Sequence, residues 1–364
     1  MFAMSWALVS TETIMDHGRT DRPSFARNPS RLKFSIRVAV PGRRATMKYR
    51  FPEGKTMRGN GSAISRAFRT LSQSYGLMRQ KDAAAYYTMI GDDVIDFMNE
   101  GYVDKSKPLW LNLGYWKVAR TYPDACVAMV ELLGTRAGLE PTDRVLDVGV
   151  GFGEQDFVLL ERFKVFHITG IDITPVHVDM ARDRVAERGL ERQIDVRLGS
   201  ATAMDFPDVS FEKVLALECA FHFDTRDQFI REAFRVLKPG GTIALTDMLP
   251  KPGKKSGPAT AFGRKYGHIP KANYYDRQEY PRRLAAAGFE DVLVESIRED
   301  VYPGMAKYTR QRIQAKKKMN EVVVEVTDDD RAQCRGVSLW ERSTGFSDYV
   351  IASARKPLAG NGIR

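Results

Sequence analysis

The sequence predicts an α/β fold on a mostly parallel sheet, and three observations predict it. From Arg144 onward, short apolar runs alternate with amphipathic helical stretches. The first run ends on three glycines at alternate positions, Gly149, Gly151 and Gly153. Thr174-Pro175, Gly189 and Gly240-Gly241 supply helix start and stop signals between the later apolar runs. Regular alternation of this kind gives parallel strands with helices covering both faces.

The chain has 364 residues, enough for one or two domains. Its apolar share of 43% and charged share of 28% are those of a globular protein. No run of about eighteen apolar residues is present to cross a membrane. Three cysteines, Cys126, Cys219 and Cys334, lie far apart and form no C-x-x-C, so neither a disulfide framework nor a metal site is expected and a cytoplasmic setting fits. The net charge of +10 invites a nucleic-acid reading. Its distribution argues against one, because residues 1–60 hold twelve Lys/Arg against four acids.

Three regions follow. Residues 1–60 mix Arg, Ser, Pro and Gly and read as a basic, disordered tail. A targeting or membrane-surface segment, a solvated tail, and an upstream extension with the start at Met47 or Met57 are the three readings open for it. Residues 61–136 read as a helical lid, with Ile64, Phe68 and Leu71 on one face and Ile90, Val94, Phe97 and Met98 on another. Residues 137–364 form the main domain, with insertions at 248–275 and 303–340. Before it stand Tyr115 and Trp116, which suit either a packing corner or an apolar cleft.

Within the main domain, strands are predicted at Val145–Val148, Val165–Ile171, Ile194–Leu198, Val214–Leu217, Thr242–Thr246, Val292–Ile297 and Asp348–Ser353. Helices are predicted at Glu154–Phe163, Pro175–Arg188, Arg226–Leu237 and Asp276–Ala287. Thr174-Pro175 offers a hydroxyl cap and a proline at the first helical position, and Gly189 a stop. Gly240-Gly241 should end a helix before the next strand. Met248–Pro258 is loop chemistry, and Lys307–Lys318 a basic, helix-like stretch whose plain reading is a solvated face.

The glycine turn alone is compatible with a dinucleotide, a nucleotide or no ligand. Its context narrows this. Asp172 closes the second strand, where an acid can accept both hydroxyls of an adenosine ribose. Ser200 and Ala201 follow the third strand, and Glu218 the fourth. Arg235-Val-Leu-Lys-Pro-Gly-Gly241 leads into the fifth. With Asp147-x-Gly-x-Gly-x-Gly153, these motifs resemble class I S-adenosylmethionine (SAM)-dependent methyltransferases over about residues 112–297 and the final strand. The closest branch methylates small molecules: quinones, tocopherols, sterols and macrolide or glycoside natural products. Gly114-Tyr115-Trp116 matches an aromatic motif of that branch.

The resemblance implies a Rossmann-like sheet with an antiparallel last strand, and SAM as cofactor. It implies that Asp147, Gly149, Gly151 and Gly153 cradle the methionine part, that Asp172 holds the ribose with Ile173 against the adenine, and that Ser200 and Ala201 border the adenine. Glu218, Tyr115 and Trp116 complete that set. It also implies His222 as general base, Asp247 as its assistant and Glu218 as a further acid in the cleft. A histidine suits proton removal near neutral pH. Two positions depart from the family: Ser200 stands where an acid is common, and Glu154 where another glycine is common.

The expected partner is a bulky, largely apolar small molecule methylated on a hydroxyl or a carbon. Nucleic acid is not expected, since Glu218-Cys-Ala-Phe replaces the Asn/Asp-Pro-Pro-aromatic grip on a flipped base. A protein acceptor, a non-catalytic SAM-binding role and a peripheral membrane contact through the basic segments stay open as alternatives.

Overall fold

The structure, a computed structural model, describes residues 11–12, 34–40, 43–49, 99, 108–253, 257, 260–261, 264, 267–314, 324–327 and 345–358. The helical-lid expectation for 61–107 lies outside them, as does most of 315–340. The chain divides into two compact units, essentially residues 3–76 and 77–364.

The first unit holds an antiparallel sheet of β1 (Thr11–Glu12), β2 (Phe34–Val40) and β3 (Arg43–Tyr49). It falls in the stretch that composition reads as a disordered tail. The strand signal is the alternation Phe34, Ile36, Val38, Val40, with Pro41-Gly42 between the paired segments. The high Arg, Ser and Pro content masks it.

The second unit is built on seven strands: β4 (Arg144–Val148), β5 (His167–Asp172), β6 (Ile194–Leu198), β7 (Phe211–Leu217), β8 (Leu237–Pro250), β9 (Glu290–Ser296) and β10 (Phe346–Arg355). Their order is β6-β5-β4-β7-β8-β10-β9. The first five are mutually parallel, and β10 runs antiparallel to both neighbours. The order reverses between β4 and β7, so a crevice opens outside their carboxyl ends, where such sheets bind ligands.

Described helices are α1 (Tyr122–Ala137), α2 (Glu154–Phe163), α3 (Pro175–Glu187), α4 (Arg226–Val236), α5 (Tyr280–Ala286) and α6 (Arg298–Gln314). The core stacks Leu146, Val214, Ile243 and Val350 of the sheet with Phe229, Ile230 and Ala233 of α4 and Tyr280 and Leu284 of α5. Burying each large apolar side chain stabilises the fold by about 1.5–3 kcal/mol.

Several local expectations shift. Thr174 stands at the N-cap of α3, but its hydroxyl makes no cap bond. Its backbone N–H instead donates to Asp172 Oδ1 at 2.8 Å. β8 begins at Leu237, paired with Phe211, so Gly240-Gly241 lies inside a strand and not before it. A Cβ on Gly241 would stand 2.8 Å from the Glu212 carbonyl oxygen, which explains glycine there. β8 also runs on to Pro250, so Asp247 sits within a strand, paired with Val350, and not in the following loop. The start of the insertion expected from residue 303 lies within α6, Arg298–Gln314. Gly304 lets that helix lie directly on the Trp116 ring.

Candidate active site

β4 ends on Asp147 and Val148, and the chain then turns through Gly149, Gly151 and Gly153 at φ values of +80°, +57° and +76°. These are left-handed conformations that a side chain disfavours by roughly 1–2 kcal/mol each. Space adds to the requirement at Gly149, where a Cβ would stand 2.7 Å from Cys219 Sγ. The turn is pinned to β5, because the N–H groups of Gly149 and Val150 both donate to the Ile171 carbonyl, at 2.7 and 3.1 Å. α2 starts immediately after, aiming its unpaired N–H groups into the crevice.

Asp172 faces this turn from the end of β5. Its Oδ2 accepts from Gly151 N at 3.0 Å and its Oδ1 from Thr174 N at 2.8 Å. Burial works to raise its pKa. His177, with Nδ1 at 3.6 Å, and the two backbone N–H groups outweigh that and hold it below the usual carboxylate range. Asp172 is therefore a fixed anion beside the glycine turn. Beyond it, Ile173 and Leu198 expose apolar side chains at the carboxyl ends of β5 and β6, while Ala201 is nearly buried. Ser200 spends its hydroxyl in its own turn, accepting from Thr202 N at 3.3 Å.

Over the turn runs a strap, residues 109–114, tied at two points. Leu109 N donates to Glu154 Oε2 at 3.1 Å, and Leu113 N to Glu218 Oε2 at 2.8 Å. Between the ties, Leu111 Cδ1 lies 3.3 Å from where a Cβ on Gly151 would be. Glu154 is held in turn by Arg184 of α3. Glu218 has φ +54° and accepts from Tyr349 Oη at 2.8 Å. Burial pushes the Glu218 carboxyl up to about 8. Trp116 is buried with Tyr122 and Tyr308, its Nε1 donating to Leu113 O at 2.8 Å, and so packs under the strap. Tyr115 is half-buried beside it.

His222 lies in a short 3₁₀ turn, Ala220–His222, after β7. Its ring tilts against Phe221, with centroids 4.1 Å apart, and its Nδ1 is 3.5 Å from the His268 carbonyl oxygen. Burial lowers its pKa to about 3, so the imidazole is neutral over the neutral pH range. The turn is held from below. Asn273, fully buried, donates to the carbonyls of Phe221 and Phe223 at 3.2 and 2.8 Å and accepts from Arg226 N at 2.8 Å. Arg226 donates from Nε to Asp247 Oδ2 at 2.6 Å and from Nη2 to Met248 O at 2.8 Å. Tyr280 Oη donates to the same Asp247 oxygen at 3.1 Å. Asp247 and Arg226 are both fully buried. Burial raises the aspartate's pKa against the pull of the guanidinium.

Comparison with known proteins decides the family. Residues 146–245 match the family model described as a methyltransferase domain. The chain is 36% identical over 258 residues to erythromycin 3''-O-methyltransferase of Saccharopolyspora erythraea, covering 69% of this chain and 84% of that protein. The chain belongs to the class I SAM-dependent methyltransferases of the small-molecule branch. It is also 30% identical over 266 residues to the 27-O-demethylrifamycin SV methyltransferase of Amycolatopsis mediterranei, covering 71% of this chain and 95% of that protein. Among solved structures, the [4+2]-cyclase SpnF superposes with a TM-score of 0.58 at 23% identity, covering 76% of this chain and 95% of that one, a likeness of fold.

The crevice of this methyltransferase fits SAM. Asp147 is a buried acid whose Oδ1 receives no N–H group, a side chain suited to a cationic ligand. The glycine turn brings backbone without Cβ atoms to the crevice, and Asp172 and Ile173 offer an anion and an apolar face side by side. Of the predicted residues, the structure gathers Asp147, the three glycines, Asp172, Ile173 and Ala201 around one crevice. It sets Trp116 in an aromatic core and Asp247 in a buried ion pair. Sequence reasoning missed Arg226, Asn273, Tyr280 and Tyr349, whose partners lie 21 to 131 residues away. It noted Glu154 only as a departure, although an acid opening a helix beside a buried Arg is a legible signal. Among the described residues, no cluster of three His, Cys, Asp or Glu could hold a metal ion, and no helix is long and apolar enough to cross a membrane.

Proposed function

We propose that this methyltransferase acts on a hydroxyl of a bulky, largely apolar natural product of macrolide type, with His222 taking the hydroxyl proton. The observation that carries the reading is His222, a neutral imidazole at the carboxyl end of β7, held among Phe221 and the His268 segment. The similarity to two O-methyltransferases, of erythromycin and rifamycin type, supports it.

SAM, when bound, supplies a methyl group on a positively charged sulfur. Asp147, the glycine turn and Ala201 hold it, Asp172 takes its ribose and Ile173 backs its adenine. The strap, tied by Glu154 and Glu218, shields that site from water. Contact with the His268 carbonyl favours a proton on His222 Nδ1, which makes Nε2 the accepting nitrogen. His222 gains its charge as transfer removes the donor's, so an enclosed site keeps the same net charge. Asp247 acts at a distance, through Arg226 and Asn273, by fixing the turn that carries His222.

The test incubates purified enzyme and SAM with a glycosylated macrolide, an ansamycin, phosphoethanolamine and geranyl diphosphate. A product heavier by one methylene from a macrolide or ansamycin hydroxyl is expected. Methylation of phosphoethanolamine or geranyl diphosphate alone would overturn the proposal. His222→Ala should lower kcat on the hydroxyl acceptor by about 10²–10⁴-fold with SAM affinity retained. Unchanged turnover would remove the general-base role.

A further inference from the structure

The donor site as described leaves Asp156 unused. Asp156 is the third residue of α2 and is fully buried beneath β5. Gly170 of β5 makes room for it: a Cβ there would stand 3.2 Å from Asp156 Oδ2. No N–H group reaches either Asp156 oxygen, and none reaches Asp147 Oδ1. Gln155 Nε2 donates to the other Asp147 oxygen at 2.9 Å. What the two aspartates have is each other, carboxyl against carboxyl.

Two ionised carboxylates cannot share such a contact out of water without a cation between them. Among the described residues no Lys or Arg pairs with either one. The surroundings oppose a second charge. Asp172 of β5 adds negative charge toward Asp147, and His177 Nδ1 of α3 lies 3.6 Å from Asp172. Cys219, after β7, faces the same acids and carries no charge to offset them, burial and the neighbouring carboxylates holding its thiol protonated. Burial pushes both aspartates up, and Asp147 pushes Asp156 further. A carboxyl group donates a hydrogen bond only when protonated.

We propose that Asp156 is a positioning residue that retains a proton and donates it to Asp147, so that the pair presents one oriented negative charge to the cationic donor. The proposal rests on the glycine turn being the donor site. Gln155 then fixes one Asp147 oxygen and Asp156 the other, so consecutive residues of α2 orient the carboxylate before the donor arrives. A lone buried carboxylate would lose that orientation. Two ionised ones would repel each other and loosen the start of α2.

Infrared spectroscopy of the full chain tests this without donor. In a Glu218→Gln background, which removes the carboxyl raised to about 8, the spectrum at neutral pH should show the carbonyl stretch of a protonated carboxylic acid. Asp156→Asn should abolish it, and Asp147→Asn should shift it without abolishing it. Absence of the band, or its persistence in Asp156→Asn, would overturn the shared proton. Calorimetry with SAM then reads the positioning role. Asp156→Asn, which can still donate, should bind within about twofold of wild type, and Asp156→Ala about tenfold more weakly. In the Glu218→Gln background the affinity should fall once rising pH removes the Asp156 proton, and Asp156→Asn should show no such step. Equal affinities for Asp156→Ala and wild type would overturn the role. Wild type with the band but no SAM binding would instead overturn the donor assignment on which the role rests.

Discussion

The two halves of the crevice are built by different means. On the side proposed to hold the donor, β4, the glycine turn, α2 and the end of β5 place their groups within about 30 residues of one another, and backbone N–H groups make most of the contacts. On the side proposed to take the acceptor, His222 is held by a relay from Asn273 to Arg226 to Asp247, and Glu218 by Leu113 and Tyr349, across separations of 21 to 131 residues. A ligand common to a whole family can be held by a short stretch of backbone. An acceptor that varies calls for side chains brought from distant elements, each replaceable without disturbing the donor cradle.

That contrast can be broken at defined points. The largest effect is expected on the acceptor side and in stability. Asp247→Ala strands the Arg226 guanidinium in the core and should cost about 3–5 kcal/mol, read from denaturant unfolding. The double change Arg226→Met with Asp247→Leu should recover much of that loss. If Asp247→Ala unfolds at the wild-type midpoint, the buried pair is not what fixes the His222 turn.

Next comes the donor side, where stability should change less than binding. Asp172→Ala removes the acceptor for Gly151 N and Thr174 N together with the expected ribose partner. SAM affinity should fall by about 100-fold in calorimetry, since two charge-assisted hydrogen bonds are lost. A loss confined to kcat would place Asp172 in the chemistry instead.

The smallest effect sits where the halves meet, at the strap tie. Burial raises Glu218 from 4.5 to about 8, so between those values the folded protein keeps a proton that the unfolded chain has released. Stability therefore falls as pH rises from 4.5 through about 8 and levels off above. Glu218→Gln keeps an acceptor for Leu113 N and Tyr349 Oη without the titration. It should match wild type below pH 4.5 and exceed it above pH 8 in unfolding midpoint. Parallel pH profiles for the two proteins would show that Glu218 does not carry this dependence.

Legibility follows the same division. The strand-glycine-helix turn, Asp172 and the seven strands were readable because each is a local pattern, periodicity or a run of turn residues, and the structure keeps them within a few positions. Two boundaries moved for tertiary reasons. β8 starts before Gly240-Gly241 because Leu237 finds Phe211 to pair with, and it extends through Asp247 because β10 lies alongside. The hairpin at 34–49 was hidden by composition, although its alternation is plain. Trp116 suits either a packing corner or a cleft by sequence, and it packs in the core because Gly304, far along the chain, allows α6 to cover it.

By itself, the sequence determined the fold class, the family and the donor, since these depend on contacts between near neighbours in the chain. Only the tertiary structure decided what Glu154, Glu218, Arg226 and Asp247 do. A charged side chain brought out of water must find its partner in space, and those partners come from other strands and helices. The proposed Asp147–Asp156 pair belongs to both: the two residues are nine apart in the sequence, and only the fold buries them together at the start of α2.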